Sequence, residues 1–299
     1  MQHTPVQHSS VLDSSMQHSE NMEKNIYARN YGVVTHEEQN KIKNTKITVI
    51  GAGGVGGITL ISLARMGFGN IQVVDMDKFD YSNINRQMLS SISRIAKCKA
   101  ECAKETILDI NPNINVTIRQ EMLTEDNAKE IISGSDMVID ATDSLVARVI
   151  IHRTAQELQI PSVWIAVTPP FRGGVMTFSH ETPAYELVLS HPSHGKELTD
   201  EVKKEIALIK DERAKASVKH GALPEWADAF INKDAPWAVI CPVANIVGIC
   251  ASFEAFKIAL NRENLQPTYA PNLVKIDMSQ PNMMQVLTPE NGRWDNAQL

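Results

Sequence analysis

The stretch "KITVIGAGGVGG", residues 46–57, decides the fold. Ile47, Thr48, Val49 and Ile50 are all β-branched, a run that suits a strand buried on both faces of a parallel sheet. Glycines then take over at Gly51, Gly53, Gly54, Gly56 and Gly57, and the chain resumes as the apolar helical run "ITLISLARMGF". A strand that breaks into glycines and restarts as a helix turns backbone N–H groups and a helix N-terminus toward an anion. A phosphate-bearing ligand is therefore expected on the loop from Gly51 to Gly56.

The alternation of strand and helix continues outward from this loop. Strands are expected at 70–77, 115–120, 136–142 and 161–167, and helices at 55–66, 96–110, 125–133 and 144–159. That order predicts an α/β fold with a doubly wound Rossmann-like sheet, mostly parallel. After "GGVMTFS" the alternation fails. Residues 184–236 hold "HPSHGK", a highly charged helical stretch from Thr199 to Gly221, and a loop punctuated by Pro and Trp. We expect an insertion over the edge or mouth of the sheet. The apolar helix "VANIVGICASFEAFKIAL" follows, then the strand-like runs "NLVKIDM" and "MMQVL", which add antiparallel strands at the C-terminal end. Before the core, "HEEQNKIKN" places acids first and lysines last, as a short helix and its dipole favour. Residues 1–24 are polar and are expected to be a disordered tail, its histidines His3, His8 and His18 solvated; residues 25–299 are expected to form one domain.

Bulk properties narrow the function. A hydrophobic content of 43% with 21% charged residues is that of an ordinary soluble globular protein, and no apolar run is expected to reach the ~18 residues of a membrane span. The opening lacks the basic start and apolar core of a secretory signal, so a cytoplasmic protein is expected. Cys98, Cys102, Cys241 and Cys250 form no C-x-x-C pair, which speaks against a zinc or disulfide framework. A formal charge of −6 argues against a broad nucleic-acid surface.

The glycine loop alone leaves two chemistries open. "GAGGVG" with Asp75 at the end of the second strand also fits the fingerprint of an NAD-dependent oxidoreductase. The next residues separate the two. "VVDMDKFDYSNINRQ" brings Asn83, Arg86 and Gln87 just past the second strand, and Lys99 stands near the start of the following helix. A dinucleotide's diphosphate needs few cations, whereas a triphosphate under attack needs several fixed donors to meet charge moving onto the leaving pyrophosphate. In "DATDSLVAR", Asp140 falls within a strand and is assigned a structural bond to a helix end or a loop amide. Asp143 lies past the strand's carboxyl end, where open α/β sheets bind ligands, and is the candidate magnesium ligand. The plainer alternative for Asp143 is an N-cap of the helix that follows.

These pieces, in order, carry a resemblance. From Tyr27 to about Leu287 the sequence resembles the ThiF/MoeB/HesA adenylyltransferases, relatives of ubiquitin-activating enzymes, through "YARN", "ITVIGAGGVGG", "VVDMDKFDYSNINRQ", "AKCKAE", "ILDINPN" and "VIDATDSLVAR". The resemblance implies an enzyme that uses ATP and Mg2+ to adenylate a substrate carboxylate, on a peptide or small protein. By motif, Gly51, Gly53, Gly54 and Gly56 hold phosphates, Asp75 the ribose hydroxyls, and Asn83, Arg86 and Lys99 the triphosphate, while Asp143 holds magnesium. Arg29 matches an arginine that reaches the ATP of the neighbouring subunit, which implies a homodimer. Family members that pass the acyl group onward carry two C-x-x-C pairs for zinc; here Ala184 and Leu187 stand where the first would fall, so no zinc is expected. Cys241, in "KDAPWAVICPVAN", is read as immersed in an apolar run and is not expected to form a thioester. "RN" and "NINRQ" resemble the peptide-tailoring branch of the family. Against this stand an NAD-dependent oxidoreductase and a catalytically silent peptide-binding relative.

Overall fold

The computed structural model describes residue 19 and residues 21–295. Its centre is a sheet of eight strands: β1 (Lys46–Ile50), β2 (Asn70–Val74), β3 (Asn115–Arg119), β4 (Met137–Asp140), β5 (Ser162–Thr168), β6 (Arg172–Phe178), β7 (Leu273–Asp277) and β8 (Met284–Leu287). They lie in the order β3-β2-β1-β4-β5-β6-β7-β8. The first five pair in parallel, and β6, β7 and β8 add antiparallel strands at one side. The sheet is therefore the expected α/β, mostly parallel one with an antiparallel C-terminal end.

Side chains alternate between two cores, as the period of a strand requires. Ile47 and Val49 of β1, with Val163 and Ile165 of β5, face one apolar cluster, to which α1 (His36–Asn44), α2 (Gly54–Met66), α3 (Lys99–Ile110) and α9 (Cys241–Leu260) contribute. Ile50, Trp164 and Ala166 face the other, built with α4 (Ala128–Ile132), α5 (Leu145–Glu157), α6 (Tyr185–Val188) and α7 (Asp200–Val218). The remaining helix, α8 (Pro224–Ile231), follows α7.

Local chemistry fixes the helix ends. Thr35 and Glu38 form a capping box at α1, and Glu38 in turn accepts from Arg262 Nε at 2.6 Å. Residues 21–26 are helical and Glu23 pairs with Lys43 at 2.5 Å, which corrects the expected tail at its C-terminal end. Residues 1–18 and 20 of that tail, with His3, His8 and His18, lie outside the described residues. A second correction concerns α9, a 20-residue helix of mean hydropathy 1.6, long and apolar enough to cross a membrane by length and composition. Here it packs against α2, β5 and β6, and carries a buried Glu254 paired with Lys257 at 2.6 Å.

Candidate active site

β1 and β4 are neighbours, yet the chain runs outward from β1 to β2 and β3 before returning to β4. At such a reversal the loops after two adjacent strands diverge to opposite faces and leave a crevice at the carboxyl ends. A cavity of about 660 Å³ lies there, within the usual range of small-molecule sites.

The glycine loop forms its floor. Gly51 has φ +101°, and a Cβ on it would stand 2.5 Å from the carbonyl oxygen of Ala141, which follows β4. A Cβ on Gly56 would stand 1.9 Å from the Gly51 oxygen. These two contacts press the loop flat between β4 and α2, so that Gly51, Gly53 and Gly54 line the cavity at the N-terminus of α2. The first amides of a helix lack intrahelical partners and the macrodipole is positive there.

Four of the expected side chains meet around this loop. Asp75, just past β2, accepts from the Ala52 amide at 2.7 Å and the Asp77 amide at 2.8 Å. Burial pushes its carboxyl above the usual range, and the two amides oppose that shift. Each carboxylate oxygen keeps a lone pair for a further donor such as a hydroxyl. Lys99 opens α3, is 7% exposed, and donates from Nζ to Asp77 Oδ2 at 3.0 Å. Arg86 is half-buried and donates from Nη1 to Ser82 O at 3.0 Å and Asn85 Oδ1 at 2.8 Å. Burial lowers its pKa and the nearby Asp143 carboxylate opposes this.

Asp143 lies exposed on the loop after β4, lining the cavity. The capping alternative for it does not hold, because Ser144 is the N-cap of α5 and its Oγ accepts from Ala147 N at 3.2 Å. Arg148, which the sequence reading left unassigned, fixes this loop. It donates to Thr142 O at 3.2 Å from Nε and 2.7 Å from Nη2, and to Ile165 O from Nη1. The signal for it was present, since Arg148 stands one helical turn after Ser144. Asp140, fully buried, accepts from the Thr142 amide at 3.2 Å, the loop-amide bond expected of it.

Two expected residues stand apart. Asn83 is outside the cavity lining; its side-chain oxygen accepts from Asp80 N at 3.2 Å and closes a turn. Arg29 is exposed on the turn Ala28–Asn30, where Asn30 Nδ2 donates to Gln39 Oε1 at 2.9 Å and to Met66 O at 3.3 Å. That puts it near the far end of α2 from the glycine loop. Cys241 is half-buried as the first residue of α9, with Asn245 Nδ2 3.2 Å from its Sγ, which corrects the expectation of immersion in an apolar run.

The insertion covers the cavity. Lys203, Lys210 and Arg213 of α7 line it, as does Trp237, against which Trp226 and Phe230 pack at 5.8 and 5.1 Å between ring centroids. His191, His194 and His220 stand outside the lining. Gln87 completes the wall beside Gly53; its Oε1 is buried without a hydrogen-bond partner among the described residues.

The profile of the ThiF family matches residues 27–294. The chain belongs to the ThiF family. A probable molybdopterin-synthase adenylyltransferase of Porphyra purpurea is 41% identical over 145 residues, which are 48% of this chain and 38% of that protein. The adenylyltransferase and sulfurtransferase UBA4 of Kluyveromyces lactis is 29% identical over 233 residues, 77% of this chain and 45% of that protein. The chain thus spans well under two thirds of these curated relatives. Among solved structures, E. coli MccB with AMPCPP and MccA superposes with a TM-score of 0.68 at 19% identity, covering 90% of this chain and 72% of that one. PaaA superposes with a TM-score of 0.61 at 18% identity, covering 96% and 77%. Both likenesses concern the fold.

The ThiF site fits a magnesium-bound nucleoside triphosphate. The flat glycine loop and the two cations Arg86 and Lys99 surround one space. Among the described residues no group of three or more His, Cys, Asp or Glu gathers for a metal. Magnesium on a nucleotide takes only one or two protein carboxylates beside the phosphates, so the single carboxylate that Asp143 places in the cavity lining is compatible with it.

Proposed function

We propose that this chain uses ATP and magnesium to adenylate a carboxylate of a peptide or small protein, releasing pyrophosphate. The observation that carries the reading is the meeting of the glycine loop, Arg86, Lys99 and Asp143 at one strand reversal in a ThiF family member. A carboxylate oxygen attacks the α-phosphorus, the bond from that phosphorus to the bridging oxygen breaks, and pyrophosphate leaves with the electron pair. Arg86 and Lys99 meet the charge that moves onto the pyrophosphate, acting where charge develops. Asp75 receives the ribose hydroxyls, and the N-terminus of α2 the phosphates. Magnesium, when bound at Asp143, supplies charge neutralisation and a template for the phosphates.

A polypeptide substrate is supported by MccB, solved together with MccA, and by the length of the insertion that roofs the cavity. Our reading includes a homodimer in which Arg29 serves the partner's site. The deciding experiment is exchange of labelled pyrophosphate into ATP, run across peptides and small carboxylates. Exchange that depends on a carboxylate supports adenylation. A protein that NAD stabilises against heat better than magnesium and ATP, and that shows no exchange, is an oxidoreductase instead.

A further inference from the structure

In sequence α7 mixes acids and lysines, but in space three of its cations share one face. Lys203, Ile206, Lys210 and Arg213 follow one another at helical spacing and form a single stripe. Its three cations line the cavity. The acids turn elsewhere: Glu205 pairs with Lys196 and Asp211 with Lys233, both at 2.9 Å. Lys203 and Lys210 are half-buried, and neither has a hydrogen bond or ion pair among the described residues. For Lys210 burial lowers the pKa, and the charge that opposes this is Asp143, across the cavity mouth. The cavity therefore has two cationic walls with Asp143 between them. The first, Arg86 and Lys99 with the glycine loop, accounts for a triphosphate. In the second, Lys203 and Lys210 stand in the cavity lining with no hydrogen bond or ion pair among the described residues.

We infer that Lys203 and Lys210 select a substrate that carries a second acidic group close to the carboxylate being activated. The inference rests on the adenylation reading for which carboxylate is activated, and on α7 alone for the second. The two lysines are seven residues apart, about 10 Å along the helix axis, which is the span of about three extended residues. The class recognised is thus a peptide with an acidic side chain near the activated carboxylate, and the stripe can meet that side chain anywhere over such a span. Two half-buried ammonium groups attract a neutral or basic peptide less, because nothing then compensates their partial loss of water.

The test uses the full chain and two sets of fluorescein-labelled hexapeptides with free C-terminal carboxylates. One set carries Glu at one of the three positions before the last residue, and the other carries Gln there. Binding is read by anisotropy without ATP, and adenylation by pyrophosphate exchange. The Glu set should bind about tenfold or more tighter than the Gln set. Lys203→Gln and Lys210→Gln should each remove about tenfold of that preference and raise KM for the peptide, with ATP affinity by calorimetry held within about twofold. Lys204→Gln, on the exposed face of the same helix, controls for a general loss of charge and should keep the preference. Equal binding of the two sets overturns the inference. So does a lysine variant that weakens ATP rather than peptide, which would give these lysines to the nucleotide. Lysine-dependent binding of the Glu set with no exchange by any peptide upholds the acidic site and removes adenylation. Exchange driven equally by both sets does the reverse.

Discussion

Gly56 admits no other side chain, since a Cβ there would stand 1.9 Å from the Gly51 oxygen, against backbone that cannot yield without moving β1 or α2. Gly56→Ala should therefore cost at least about 2 kcal/mol, read by urea unfolding, and should abolish the stabilisation that ATP confers. Asp143 is the opposite kind of residue. It is exposed and, with Ser144 serving as the cap, it holds no helix end, so Asp143→Ala should leave stability within about 0.5 kcal/mol. Pyrophosphate exchange by that variant should nevertheless fall in kcat more than in ATP affinity, because a metal-orienting carboxylate acts mainly on the transition state. Normal turnover in Asp143→Ala would remove it from the site. At this scale the sequence was legible where position alone decides. Gly51, Asp75, Lys99 and Asp143 follow strands or open helices, and the sheet brings such positions together. Asn83 was not legible in the same way. Within a tight turn, spacing does not say whether a side chain points to the ligand or back to its own backbone, and Asn83 closes the turn at Asp80.

The elements of the parallel half were read within a few residues, whereas β6 was not read as a strand and α8 stands where a loop was expected, and the differences have causes. β2 ends at Val74 rather than at residue 77, because its last partner is Arg119 and the chain then turns at Asp75 into the site. The charged stretch of the insertion was legible as a helix but not as a wall, since alternating charge looks the same on a solvated helix. What settles it is the buried set Val202, Ile206 and Ile209, which joins the core beneath α5 and β5. Replacing residues 195–222 by a linker would thus strip the core as well as the recognition surface. A single truncation is the cleaner probe: Ile206→Ala should destabilise by about 2–5 kcal/mol and raise KM for substrate by loosening the stripe of lysines. The entrance to the insertion makes a pH prediction. His191 is buried, with Nδ1 2.7 Å from Ser193 Oγ, while Arg153 donates to Glu186 at 2.7 Å beside it. Burial pushes the His191 pKa from 6.5 down to about 4, with Glu186 opposing the shift. Between those values the unfolded chain takes a proton that the folded chain refuses. Its stabilising share is therefore complete above pH 6.5 and is lost as pH falls toward 4, on the order of 3 kcal/mol at most. The fall in urea midpoint over that window should be shallower in His191→Asn, and an unchanged slope would place the acid sensitivity elsewhere.

For the molecule as a whole, alternation along the chain made the sheet and its strand reversal legible, because a parallel pair needs a crossover helix and a crossover has one hand. The meeting of α7 with the cavity depends on how the 53 residues 184–236, which carry α6, α7 and α8, fold back over the sheet, and no local period encodes that. Arg29 poses the remaining question at this scale. Its turn is tied to the C-terminal end of α2: Tyr27 donates to Ala64 O at 3.0 Å and accepts from Asn111 Nδ2 at 3.0 Å, and Asn30 donates to Met66 O at 3.3 Å. The glycine loop lies at the other end of the same helix. From Gly54 to Met66 the axis advances about 18 Å, beyond the reach of an arginine side chain, so Arg29 does not serve the site of its own chain. It is exposed and makes no hydrogen bond or ion pair among the described residues, so its fold gives it no structural task. In a homodimer with twofold symmetry each Arg29 would meet the partner's phosphates, and each site would be built from two chains. Arg29→Ala and Asp143→Ala proteins should then each be inactive alone. Mixed under conditions that exchange subunits, they should recover up to about a quarter of the activity per total site, because half of the dimers are mixed and one of the two sites in each keeps both groups. Subunit exchange is followed independently by native mass spectrometry of tagged and untagged chains. Proven exchange with no recovery, or a full-length protein that remains monomeric during turnover, would return Arg29 to the surface and leave each site complete within one chain.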